Sequence, residues 1–99
     1  MQYKDYGEVE VKLSKYATGE RIALGIFTIE GEFLTVATTN LPEIEIEEGQ
    51  TFLKTWSENE GILEWLIENK IVSEPIKWVK TGFVEAPLVE VLLNDGSIA

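Results

Sequence analysis

The sequence predicts an α+β fold: a single antiparallel sheet of about five strands, in the order β-β-β-α-β-β, with one helix packed on a face. Three observations carry this. Val9, Val11 and Leu13 alternate with Glu8, Glu10 and Lys12, the period-2 pattern of a strand with one wet face. Ile62, Leu63, Trp65, Leu66 and Ile67 fall on one broad stripe at helical spacing. Two extended runs follow that stripe, with Gly82 at their junction.

Taken in order, the alternating strand ends at Ala17-Thr18-Gly19-Glu20, where Gly19 can take the positive φ a tight turn needs. Residues 21–29 are apolar on both faces, which predicts a central strand. Glu30-Gly31 reverses the chain into residues 33–39, a β-branched and aromatic run that Asn40-Leu41-Pro42 ends. Ser57-Glu58-Asn59-Glu60 reads as an S-x-x-E capping box at a helix start. Asn69 or Lys70 closes that helix, with Ile71 folding back as the apolar residue beyond the cap. Residues 75–81 and 83–93 are the last two strands. Pro87 removes a ladder donor, so the final strand is expected at an edge or bulged there. Trp56 and Trp78 are read as core before contact. The 99 residues make one domain, 1–99, with 94–99 as a frayed tail.

Charge is the feature that bears on function. The formal net charge is −10, and residues 30–74 hold eleven Glu against Lys54 and Lys70, whereas residues 1–29 balance at zero. A region charged in this way repels nucleic acid and anionic membrane and steers basic partners towards itself. Direct nucleic-acid binding and membrane binding are therefore not expected, and no apolar run approaches the ~18 residues of a membrane span. The start of the chain has no apolar core for a signal peptide, so a cytoplasmic location is expected. With 44% hydrophobic residues, three Trp and four Phe, the chain is a folding domain and not an acidic tail.

Catalysis is not expected. Cysteine and histidine are both absent, which removes thiol chemistry, thiolate metal sites and the side chain best suited to proton transfer near neutral pH. Ser14, Ser57 and Ser73 have no histidine to activate them. Only Asp5 and Asp95 are aspartates, and there is no D-x-D run, glycine-rich phosphate loop or EF-hand loop. No metal, cofactor or catalytic residue is assigned.

Placed on the predicted elements, Glu60, Glu64 and Glu68 form one narrow line on the helix, opposite the apolar stripe. Neighbours four apart stand about 6 Å from each other, and each like-charged pair costs about 0.2–0.5 kcal/mol. Glu43, Glu45, Glu47 and Glu48 form a second cluster in the connection before the helix, with Ile44 and Ile46 interleaved. Side by side, the seven carboxylates would make a strip with phosphate-like charge density, and Trp56 is its candidate aromatic anchor. A short strand with one buried side accounts for Ile44 and Ile46 on simpler terms, and acids on a helix back also serve solubility.

Tyr6-Gly7, Leu13-Ser14-Lys15-Tyr16-Ala17, Ile22-Ala23-Leu24, Thr39-Asn40-Leu41-Pro42, Glu58-Asn59, and Gly82-Phe83 followed by Pro87 together resemble a family of short uncharacterised bacterial proteins. That family is carried on phages, plasmids and conjugative elements. The resemblance spans about residues 6–92, and its motifs are short. Members usually have a β-branched apolar residue before Asn-Leu-Pro, where this chain has Thr39. The resemblance implies a mobile-element accessory protein that inhibits a host defence nuclease, as anti-CRISPR proteins do. Its partner would be a basic protein, such as the CRISPR effector nuclease Cas9, whose positively charged channel an acidic, phosphate-mimicking face could occupy. The alternative is a non-catalytic protein–protein interaction module, monomeric or a weak homodimer through the sheet edge, with its acids serving solubility.

Overall fold

A computed structural model describes residues 1–19 and 21–93. Among these, two antiparallel sheets and one α-helix make an α+β molecule, so the expected single sheet of about five strands is replaced by two. The first is a meander of β1 (Val9–Lys15), β2 (Ile22–Thr28) and β3 (Phe33–Val36), in that spatial order. The second holds β4 (Thr38–Thr39), β5 (Gln50–Leu53), β6 (Lys77–Thr81) and β7 (Val84–Glu90), in the order β4-β5-β7-β6. The expected tail at 94–99 lies outside the described residues, as does Glu20 of the first turn.

The split into two sheets happens at Ala37. The run 33–39 is continuous in composition, but its two halves pair with different strands. Ala37 donates its N–H to Leu24 O at 2.7 Å, across to β2, and its carbonyl accepts from Lys54 N–H at 2.8 Å, just past β5. Where β3 leaves, the upstream end of β2 still needs partners. Buried threonines supply two of them. Thr38 Oγ1 accepts from Leu24 N–H at 3.3 Å and shares a 2.8 Å hydrogen bond with Tyr16 Oη, while Thr51 Oγ1 donates to Ile22 O at 2.8 Å.

The helix, α1 (Ile62–Glu68), is two turns long and starts later than the capping box implies. Ser57 sits at φ 61 in a short 3-10 turn, Ser57–Asn59, and makes no side-chain cap. The box fails because Asn59 is drawn into the core. Its Oδ1 accepts from Thr35 Oγ1 and its Nδ2 donates to Val36 O, both at 2.8 Å, which clamps this turn to β3. Gly61 then takes φ 85 to redirect the chain into α1. The C-terminal end closes as the sequence implies. Ile71 N–H bonds Leu66 O and Lys70 N–H bonds Ile67 O, a Schellman closure with Lys70 in the left-handed region at φ 60.

Ile62, Leu63 and Leu66 bury the apolar stripe of α1 against Val11, Leu24, Ile26, Leu53 and Val89, between the two sheets. Tyr3 joins this core at 2% exposure, edge-on to Trp65 at 4.8 Å between ring centroids. The Trp65 indole N–H donates to Gln2 O, so the start of the chain is pinned beside the helix. A second, smaller core lies on the other face of the four-stranded sheet. It consists of Leu41, Phe52, Ala86 and Leu88, covered by Ile44, Ile46, Trp56 and Val79.

Two further expectations are corrected. β7 is an interior strand, flanked by β5 and β6, and the edges of this sheet are β4 and β6. Pro87 is tolerated because it forms a non-hydrogen-bonded pair with Trp78 on β6, and its nitrogen points to the other side, where the β5 ladder has already ended at Leu88. Trp78 itself is half-exposed at 50% instead of core, because its ring stands at the outer strand of the sheet.

Candidate functional site

Residues 41–49 form a strap across the outer face of the four-stranded sheet, with no ladder of its own. Its alternating sequence is resolved by facing. Ile44 and Ile46 point down onto the second core, while Glu43, Glu45, Glu47 and Glu48 are exposed. The expected short strand is therefore absent, although its one buried side is present. Arg21 fastens the strap from β2's approach. Its guanidinium donates from Nη1 to Leu41 O at 3.0 Å and from Nη2 to Ile44 O at 2.6 Å. At the far end, Glu47 N–H donates to Gln50 Oε1 at 2.8 Å, and Gln50 N–H returns to Glu47 O at 3.1 Å.

Arg21 thus spends its two terminal amino groups on carbonyls and leaves the strap carboxylates free. Glu45 and Glu47 border a hollow of about 600 Å³ that Arg21 and Lys77 also line. All four strap glutamates project from backbone held at both ends, and none of them has an ion-pair partner among the described residues.

The helix acids are arranged differently from the expected line. Glu60 precedes α1, at φ −55 and ψ 131, so it is off the helical register that Glu64 and Glu68 share. Its place is taken by Glu74, which composition counts but spacing does not put beside the helix. Glu64, Glu68 and Glu74 rim a shallow groove of about 460 Å³ floored by Leu63, Ile67 and Pro75. The strap and the helix therefore line separate hollows. Glu60, Glu64 and Glu68 are all exposed.

Trp56 stands half-buried at the start of the 3-10 turn and packs on the second core with Ile44 and Ile46. This matches its reading as core. Beside it, Glu58 is the one glutamate of residues 30–74 with an ion-pair partner among the described residues, Lys54 Nζ at 2.8 Å. The hydrogen bond from Lys54, with further help from backbone and Ser57, lowers its carboxyl to about 2. Lys4 Nζ adds a 2.9 Å bond to Glu58 O, which ties the first residues to the same turn. Burial raises the Tyr3 hydroxyl, whose oxygen has no hydrogen-bond partner.

Among the described residues no group of three His, Cys, Asp or Glu is placed to hold a metal ion, and no helix is long and apolar enough to cross a membrane. No curated protein and no solved structure matches the chain. A family model described as a domain of unknown function matches residues 10–95, which runs from β1 through both sheets, the strap and α1. On that match the chain belongs to the family Domain of unknown function (DUF4313).

Proposed function

We propose that this protein is a non-catalytic binding protein whose strap glutamates, with those of α1, engage a basic nucleic-acid-binding surface on a partner protein. One observation carries the reading. Glu43, Glu45, Glu47, Glu48, Glu60, Glu64 and Glu68 are all exposed, and none has an ion-pair partner among the described residues. Solubility alone does not call for acids on a strap anchored at both ends. Four carboxylates held there can meet Arg or Lys without first being ordered, and carboxylate–Arg pairs can be bidentate. A guide-loaded CRISPR effector offers such a basic channel, and occupying it would make this a nuclease inhibitor of the anti-CRISPR kind.

The test is displacement of labelled target DNA from a panel of purified guide-loaded effectors, Cas9 among them, at rising salt. Wild-type protein should displace DNA from at least one effector, less well as salt rises. Changing Glu43, Glu45, Glu47 and Glu48 together to Gln should weaken displacement about tenfold or more while the circular dichroism spectrum stays the same. Glu64→Gln with Glu68→Gln should weaken it less. Failure to displace DNA from every effector, or equal displacement by the four-Gln variant, overturns the reading.

A further inference from the structure

β6 ends the four-stranded sheet, and among the described residues no strand lies against its outer edge. Exposed edges are templates for another strand, and proteins blunt them with charge, above all lysine. This edge carries Lys77 and Lys80, both exposed, but between them it also presents Trp78 at 50% exposure, just after Ile76 at 50%. The cross-strand neighbour of Trp78 on β7 is Pro87, which leaves half of the indole in solvent. Lysine alone would protect the edge, and the tryptophan undoes part of that protection.

We propose that β6 pairs antiparallel with β6 of a second copy, about a twofold axis through Val79, joining two four-stranded sheets into one of eight. The edge is complementary to itself, which selects a second copy as occupant, and charge narrows the register. Centred on Val79, the pairing sets Trp78 opposite Lys80 of the other copy, twice, and Lys77 opposite Thr81. Within each copy Lys80 already stands opposite Glu85 on β7. Its ammonium is then flanked by a carboxylate on one side and an aromatic face on the other, both favourable. A register centred on Trp78 would set Lys80 against Ile76 without the aromatic contact, and one centred on Lys80 would oppose it to itself. One centred between Trp78 and Val79 would oppose Lys77 to Lys80. Like charges directly opposite are destabilising, so the lysines act as a register filter and not as a bar to pairing.

This interface lies outside the acidic stretch, and its salt dependence has the opposite sign to that of the strap surface. Two copies of net charge −10 repel, so added salt strengthens the dimer, whereas it weakens capture of a basic partner. Failure of one reading is therefore distinguishable from failure of the other.

Sedimentation velocity across a concentration series, at about 50 mM and about 500 mM salt, tests the proposal. Wild-type protein should form a dimer whose dissociation constant falls at the higher salt. Trp78→Lys should raise that constant at least about tenfold with the fold intact by circular dichroism. Combining Trp78→Lys with Lys80→Glu and Glu85→Lys should restore the dimer, because opposite charges then meet across the axis while the 80–85 pair within each copy stays complementary. A monomer at high micromolar concentration in both salts, a dimer unmoved by Trp78→Lys, or no restoration by the triple variant overturns it.

Discussion

Beneath α1, the main core is walled by hydrogen-bonded elements: β1 to β3 on one side, β5 and β7 on the other, and the helix over Leu24, Ile26 and Leu53. Under the strap, the smaller core of Leu41, Phe52, Ala86 and Leu88 is roofed by a segment held by Arg21 at one end and Gln50 at the other. The first roof is held by every turn of its own backbone. The second is held by two anchors and two isoleucines. The protein's densest acidic segment rides on the weaker roof, so charge display and stability are separated in space.

Three substitutions probe that contrast. Leu66→Ala in the main core should cost about 2–5 kcal/mol in chemical denaturation, since a fully buried leucine is lost from a region that cannot collapse. Ile46→Ala, on a half-buried residue of the strap, should cost only about 1 kcal/mol. Comparable losses would show the strap to be as rigidly built as the helix. Arg21→Lys keeps the charge but not the planar fork that reaches two carbonyls. It should cost about 1 kcal/mol and speed amide exchange at Ile44, with little change at Leu66. Equal acceleration at both sites would mean that the strap opens only with the whole molecule.

The smallest effect concerns the Glu58 carboxyl beside α1. Its value is depressed in the folded state from 4.5 to about 2. Its contribution is therefore complete above the unfolded value and is lost as pH falls from about 4.5 towards 2. Glu58→Gln should flatten the acid limb of the melting profile in that window. The pair is exposed, so salt should reduce the difference. An acid limb identical to wild type would show that the pair has no influence on folding.

What could be read from the sequence depended on whether the signal was local. The β1 alternation, the apolar stripe of α1, its Lys70–Ile71 closure and the Gly82 hairpin are each encoded within a few residues, and each is present in the structure. β5 was missed. It is four residues long, and its ladder partners on β7 lie far along the chain, so its sequence reads as connection. The change of sheet at Ala37 leaves no local trace because both halves of the run are equally β-prone. Asn59 reads as a helix-start polar residue, and only its hydrogen bonds to Thr35 and Val36 show it as a core clamp. For the site, exposure of the acids followed from their type. Their arrangement did not: the helix starts only past Gly61, which puts Glu60 off the line, and Glu74, in the connection after the helix, shares a groove with Glu64 and Glu68.

Ala37 also bears on how the chain comes apart. One residue is bonded to β2 through its N–H and to the end of β5 through its carbonyl, so neither sheet can be peeled away without disturbing the other's ladder. Loosening of the strap can stay local, but the loss of either sheet should be shared by both. Tryptophan fluorescence and backbone dichroism should then report a single cooperative transition.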